Sequence, residues 1–263
     1  MKKQILIAFI IVLGLFFSGC PSGDDNGKKP DFEKILVFQA YGTGEQGGAG
    51  VNRSFVELYN PGNKQIMLAG ITLWFANGTR TNTIPEGSPS PAVVDSEWKS
   101  IELSGAIPAK GSFLILGPEK GSSANLIIAE ADNDIYSSSF VLSNRAFKVA
   151  LIESRTTLNA SIQNPFDTDG NGTKVAGYID MVGAANEYTP PTDPDQGEDT
   201  IYGFETAPAR NSASQAVRRK DLNDTDDNSK DFIAARYNGM SADEMSLRRP
   251  RNSAHGAWDP FAP

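Results

Sequence analysis

The sequence predicts an all-β fold. Short apolar runs are separated by Gly, Pro, Asn or Ser, and the chain contains 25 glycines and 16 prolines. Large side chains alternate with other residues in the runs 71–75 and 147–151. This period of two is typical of strands with one face on a core, and frequent Gly and Pro indicate many short strands. The hydrophobic content of 39% is sufficient for such a core.

We expect strands at apolar or alternating runs throughout the chain. In order they are Lys34–Tyr41, Phe55–Tyr59, Gln65–Leu68, Ile71–Phe75, Lys99–Leu103, Ser112–Leu116, Phe140–Leu142, Phe147–Ile152 and Tyr178–Val182. We expect roughly seven to nine strands in all. The predicted core residues are Phe55, Leu58, Ile71, Leu73, Phe113, Ile115, Phe147, Val149 and Phe232. Long polar insertions at 77–97, 154–175 and 186–199 are expected to form surface loops.

A short helix is predicted near the end of the chain. Ser241 and Glu244 have the spacing of a capping box, which favours a helix running toward Arg248. We expect the rest of the C-terminal tail, residues 236–263, to be mostly irregular.

The N-terminus has the features of an export signal. Lys2 and Lys3 precede an apolar run, Ile5–Phe17, that is too short to span a bilayer and fits a signal-peptide helix. The run ends at Phe-Ser-Gly-Cys20, which resembles the lipobox of bacterial lipoproteins, with Phe17 in place of the usual Leu. Cys20 is the only cysteine, so it cannot form an intramolecular disulfide.

We therefore expect a lipid-anchored protein. Residues 1–19 would be removed, and Cys20 would be the lipid attachment site, carrying acyl chains such as palmitate that insert into membrane lipid. Residues 20–31 are polar after Cys20 and predict a flexible tether. The predicted location is the cell envelope, at the outer membrane or cell surface rather than the inner membrane.

The net charge limits the classes of molecule that the chain can bind. Residues 1–19 contain two lysines and no acidic residue. After their removal the chain has 22 basic and 32 acidic residues, a net charge of −10. Such a chain is poorly suited to broad nucleic-acid binding. Basic residues cluster at Arg218–Lys220 and Arg248–Arg251. A charged strand edge and a solvated tail explain these clusters, and a phosphate-rich partner is the alternative.

The order of several segments resembles the lamin tail domain. Phe-Val-Glu-Leu-Tyr-Asn-Pro at 55–61 is similar to the family's strand and Asn-Pro turn. Leu-Ser-Asn at 142–144 lies in a segment similar to its hairpin, and Asp-Thr-Asp-Asp-Asn at 224–228 is similar to the bacterial closing motif. The four segments that carry the resemblance are Phe55–Leu68, Ile107–Leu116, Phe140–Leu151 and Ser214–Phe232.

This resemblance implies an immunoglobulin-like β-sandwich over residues 32–235. Lamin tail domains often accompany nuclease or phosphatase domains as accessory modules, which implies adhesion or targeting. A protein or polysaccharide at the envelope, or outside the cell, is the corresponding partner. The family pattern also implies structural roles for Asn60, Asn144, Asp226 and Asn228, whose short side chains can fix turns.

One acidic loop has the spacing of a cation site. Asp167, Asp169 and Asn171 match positions one, three and five of an EF-hand loop, with Gly172 at six. Tyr178 stands at position twelve, where the bidentate Glu would be, so the motif is incomplete unless the fold brings Asp180 or Glu187 to the loop. Calcium at these three residues is one hypothesis, and a solvated turn is the other. No cofactor is required by any other pattern.

Few residue patterns in the sequence indicate catalysis. His255 is the only histidine, which excludes multi-histidine zinc sites. No G-x-S-x-G or S-x-x-K pattern occurs. We therefore expect a non-catalytic binding, adhesion or scaffold module. The alternative is a metal-dependent hydrolase of the phosphoesterase or nuclease type that uses the acidic clusters at 167–171 and 224–228.

Overall fold

The fold is all-β and contains two large sheets. The computed structural model describes residues 35–44, 50–78, 98–121, 124–160, 164–167, 173–186 and 205–262. Thirteen strands lie within these ranges, more than the sequence predicted. Several of the additional strands contain only two residues, too few for a periodic signal. Among the described residues, no helix has the length and apolar character to cross a bilayer. The predicted signal peptide and tether lie outside them.

The first sheet has six strands. In spatial order they are β13 (Phe232–Arg236), β12 (Gln215–Arg219), β1 (Leu36–Tyr41), β2 (Arg53–Tyr59), β7 (Ser112–Glu119) and β8 (Ile135–Tyr136). All neighbours pair antiparallel except β7 and β8, which are parallel.

The second sheet has five strands. In spatial order they are β11 (Ala209–Arg210), β10 (Tyr178–Ala185), β9 (Ala146–Glu153), β4 (Ile71–Asn77) and β5 (Lys99–Glu102). Only β10 and β11 are parallel. A separate ribbon joins β3 (Ile66–Met67) to β6 (Ala106–Ile107). The described elements also include two short α-helices, α1 (Asn228–Asp231) and α2 (Ala242–Arg248), and two 3-10 helices, Glu130–Asp132 and Ser253–His255.

One hydrophobic core lies between the sheets. The six-stranded sheet contributes Val37, Leu58 and Ile115, and the five-stranded sheet contributes Leu73, Val149 and Val182. All nine core residues predicted from the sequence are buried. Eight belong to this cluster, whereas Phe55 points to the opposite face of its sheet. Alternation along the strands therefore identified the buried side chains correctly.

Both sheets are covered on their outer faces as well. Residues 237–262, which follow β13, form the C-terminal segment. Tyr237 and Met245 of this segment pack on the outer face of the six-stranded sheet. Trp98 and Phe166 pack on that of the five-stranded sheet. This is why β1, β2 and β9 are buried along their whole length, unlike the half-exposed strands that we expected.

The C-terminal segment is docked on the sheet and is not a solvated tail. Trp258 contacts Phe38 and Tyr59 edge to face, at ring-centroid distances of 5.8 and 5.9 Å. Its indole nitrogen donates to Ser112 Oγ over 2.9 Å, and the Tyr59 hydroxyl donates to the Trp258 carbonyl over 3.0 Å. The predicted capping box is confirmed, because Ser241 Oγ accepts from the backbone nitrogen at the third helical residue.

One predicted strand is wrong. Residues 140–142 have no ladder partner, and the Leu142 nitrogen donates to Ser54 Oγ instead. The segment crosses directly over two glycines. A Cβ on Gly117 would lie 1.9 Å from the Phe140 carbonyl oxygen, and one on Gly42 would lie 2.0 Å from that of Ser143. The other predicted strands are present with shifted ends.

Candidate functional site

Three carboxylates converge at one end of the sheets. Asp180 lies on β10, Glu205 precedes β11, and Asp224 follows β12. Each offers an oxygen within 4.8 Å of the others, and the first two side chains are buried. We call these residues the carboxylate cluster. By donor chemistry alone they could hold a hard cation.

The positive charge in this cluster is supplied by Arg219. Its Nη2 lies 2.8 and 2.9 Å from the two oxygens of Asp180 and 3.5 Å from Asp224 Oδ1. Its Nε donates to the Val37 carbonyl over 3.1 Å, and its guanidinium lies over the Phe232 ring. The side chains of Arg219 and Asp180 are both fully buried. A cation at this point would have to displace a bound guanidinium.

Glu205 has its own set of partners. The Tyr178 hydroxyl donates to Oε1 over 2.5 Å, and Asn228 Nδ2 donates to Oε2 over 2.9 Å. Lys174 Nζ lies 3.6 Å from Oε1. Burial, reinforced by the nearby charge of Asp180, raises the pKa of Glu205 to about 8. Burial also raises the pKa of Asp180, against the opposing effect of Arg219.

Asn228 connects this cluster to the sheet. Its Oδ1 accepts from the backbone nitrogens of Gly183 and Glu205, and its Nδ2 also donates to the Met181 carbonyl. The turn chemistry predicted for Asn228 is wrong, because its side chain joins distant segments instead of fixing a local turn. Asn60 does fix its turn, since its Oδ1 accepts from the Gly62 nitrogen over 2.8 Å.

The second site is a cleft between β12 and the C-terminal segment. It has a volume of about 370 Å³, and its lining includes Arg218, Arg248, Arg251, Trp258 and Asp259. We call it the arginine cleft. The Arg251 guanidinium lies 3.7 Å from the Trp258 ring centroid, and that of Arg218 lies 6.0 Å away. The cleft thus combines three cationic groups with an aromatic wall.

The arginines of the cleft are held mainly by backbone oxygens. Arg218 donates to the carbonyls of Arg248 and Pro260 over 3.4 and 3.2 Å, and Arg248 donates to that of Arg236 over 3.2 Å. No ion pair within the described part of the chain involves any of the three. Arg249, by contrast, is paired with Asp132 over 2.9 Å.

The electrostatic balance of the cleft is positive. Burial lowers the pKa of Arg218, and the charges of Arg251 and Arg248 act in the same direction. Glu57 lies buried nearby and attracts Arg218, and burial raises the pKa of Glu57 against the opposing effects of Ser112, Gln39 and Arg218. The three guanidinium charges are therefore only partly offset.

Of the three predicted calcium residues, only Asp167 lies within the described part of the chain. Asp167 is half-buried beside Phe166 and is not among the described residues that could group around a metal. Asp169, Asn171 and the predicted lipid attachment site Cys20 lie outside the described residues. Calcium binding at 167–171 stays a prediction.

The second acidic run does not act as one site. Only Asp224 joins the carboxylate cluster, while Asp227 pairs with Lys230 over 2.8 Å. Asp226 adopts a positive φ of 53° in the turn. Sequence reasoning considered Asp180 only as a ligand of the 167–171 loop and not as a partner of Glu205 and Asp224, although a charged residue inside the apolar strand β10 was an available signal. Glu205 had none, because no motif and no strand or helix period surrounds it in the sequence.

The basic clusters were only partly understood from the sequence. We expected a charged edge and a solvated tail, but Arg218 and Arg219 are 8% and 1% exposed. Adjacent residues of a strand point to opposite faces. Arg219 therefore enters the carboxylate cluster, while Arg218 faces the C-terminal segment and meets Arg248 and Arg251.

Comparisons with known proteins add little to this geometry. No family model matches the sequence, and no curated protein matches it. The chain is similar to the crystal structure of a DUF4876 family protein from Bacteroides thetaiotaomicron VPI-5482. The identity is 14% and the TM-score 0.45, over 79% of this chain and 72% of that one.

Removing the cation of the carboxylate cluster should unfold the protein readily. In Arg219→Gln, the buried Asp180 loses its partner, and we expect the free energy of unfolding to fall by roughly 3–5 kcal/mol. Urea denaturation followed by circular dichroism measures this. Lys230→Gln is the control, because Lys230 is exposed and pairs at the surface. Equal stability of Arg219→Gln and wild type would contradict a structural role for the guanidinium.

The raised pKa of Glu205 predicts a pH dependence. Between its ordinary value near 4.5 and about 8, the folded protein retains a proton that the unfolded chain has lost. This contribution to stability is complete below pH 4.5 and is lost as the pH rises through 8. Glu205→Gln should flatten the decline of Tm over this range. An unchanged slope in the variant would assign the decline to other groups.

Proposed function

We propose that this chain is an exported lipoprotein whose immunoglobulin-like β-sandwich, of the lamin tail type, binds an anionic partner at the cell envelope without catalysing a reaction. The single observation that carries the binding role is the arginine cleft. Two basic segments that are thirty residues apart meet there, in a chain with a net charge of −8. Charge focused in a concave site favours ligands of opposite sign.

The sandwich assignment is supported by the arrangement of the two sheets. They enclose a shared core in which side chains from both inner faces meet. Face-to-face packing of this kind is characteristic of sandwich folds. The Asn-Pro turn at Asn60 and the anchoring of Asn228 also give the resemblance segments a structural role.

The lipid anchor is supported by the sequence at the N-terminus. A positive start, a short apolar run and a solitary cysteine occur in the order that lipoprotein processing requires. The polar tether after Cys20 would place the folded part away from the membrane surface.

The alternative, a metal-dependent hydrolase that uses the acidic clusters, has less support. The carboxylate cluster is occupied by Arg219, and two of its members are buried beneath the surface. A hydrolytic metal site needs an open coordination position for water or substrate.

Loss of the acylation site should release the protein from membranes. We expect Cys20→Ala to move from the detergent phase to the aqueous phase of a Triton X-114 separation, because multiple acyl chains anchor firmly and none would be present. Wild type should remain in the detergent phase. Identical partitioning of the two proteins would overturn the lipoprotein assignment.

Charge reversal in the cleft should abolish partner binding. In the Cys20→Ala background, Arg248→Glu with Arg251→Glu should weaken co-sedimentation with isolated cell envelopes by about tenfold or more, because opposite charges become like charges. Arg155→Glu is the control, since Arg155 is exposed in the turn that follows β9 of the other sheet. Equal loss in the control, or no loss in the double variant, would reject the cleft as the site that binds an envelope component. Unchanged thermal unfolding confirms that each variant is folded.

A further inference from the structure

We propose that the arginine cleft is a binding site for a phosphate monoester carried by a small molecule. This inference rests on the proposed binding function and specifies its ligand. It depends on three features of the cleft, namely its free donors, its surplus charge and its aromatic wall.

The cleft offers guanidinium donors that the fold leaves available. Arg251 donates no side-chain hydrogen bond to another described residue and is held by its contact with Trp258. Arg248 uses one nitrogen, for the Arg236 carbonyl. A guanidinium has five N–H groups in a fixed fork, so most donors of these two residues can reach a ligand. Planar forks of this kind recognise phosphate through paired hydrogen bonds.

The number of charges favours phosphate over carboxylate. One arginine suffices for a carboxylate, which it binds bidentately. Three arginines in one cleft repel each other, and a monoester with a charge of about −1.5 to −2 relieves this repulsion more completely. Asp259 in the lining and the buried Glu57 offset part of the charge, so the surplus is at most two charges, which a single monoester group can neutralise.

The rest of the chain disfavours a polyanionic surface as the ligand. Acidic residues exceed basic ones by eight, so an anionic membrane or a nucleic acid would be repelled outside the cleft. A small molecule would meet only the local field. The cleft volume of about 370 Å³ is at the lower end of the range for small-molecule sites. Trp258 offers an apolar face to the group that carries the phosphate.

The test uses the full-length protein in detergent and isothermal titration calorimetry. The probes are inorganic phosphate, glycerol 3-phosphate and, to represent a lipid source, mixed micelles containing phosphatidylglycerol. Sodium chloride at matched ionic strength is the blank. The variants are Arg251→Gln and Arg248→Gln, with Arg155→Gln as the control on the opposite sheet.

We expect both small phosphates to bind, and each of them to bind Arg155→Gln as tightly as it binds wild type. Each cleft variant should bind about tenfold more weakly or worse, because a charge-assisted hydrogen bond is lost. Two results would overturn the proposal. One is the absence of saturable heat from either phosphate, or equal affinity in wild type and both cleft variants. The other is tighter binding of the anionic micelles than of glycerol 3-phosphate.

The two levels of the hypothesis can fail separately. If neither phosphate binds but envelope co-sedimentation still depends on Arg248 and Arg251, the phosphate assignment is wrong and the binding function stands. If the envelope experiment also shows no dependence on these arginines, both fail. If both phosphates bind but envelope co-sedimentation does not depend on the arginines, the envelope partner is wrong and the phosphate site stands.

Discussion

The buried ion pair between Arg219 and Asp180 is the interaction on which the arrangement of the sheets depends. Arg219 belongs to β12 of the six-stranded sheet and Asp180 to β10 of the five-stranded sheet, and the Val37 nitrogen of β1 also donates to Asp180 over 2.6 Å. A buried pair contributes little net stability compared with apolar residues, but breaking it is costly. Its main effect here is to select one relative placement of the two sheets.

The same stretch of β12 determines where the cleft forms. Arg218 and Arg219 are consecutive, so the strand sends one guanidinium into the carboxylate cluster and the other to the outer face. The outer guanidinium then donates to carbonyls of Arg248 and Pro260, which helps to hold the C-terminal segment. A shift of β12 by one residue would exchange these roles and leave two charges misplaced.

Sequence reasoning predicted the fold class, the core and the helix cap because each depends on local pattern. Alternation at Ile71, Leu73 and Phe75 identifies an inward face, and the spacing of Ser241 and Glu244 is itself the capping geometry. The candidate sites were not predictable in this way. The carboxylate cluster joins residues from three separate segments. The packing of the two sheets brings them together, and their spacing in the sequence does not indicate it. The basic runs were visible, but nothing local indicated that they meet.

Charge is distributed in two contrasting ways in this molecule, and the contrast indicates which site is open to a ligand. In the carboxylate cluster, Arg219 and Lys174 already balance the acids, and the main partners are inaccessible to water. In the arginine cleft, the cations exceed the nearby acids and border open space. A folded protein gains nothing from concentrating like charges at its surface, since their repulsion opposes the compact state. An anion that binds there reduces this repulsion, so binding stabilises the folded protein.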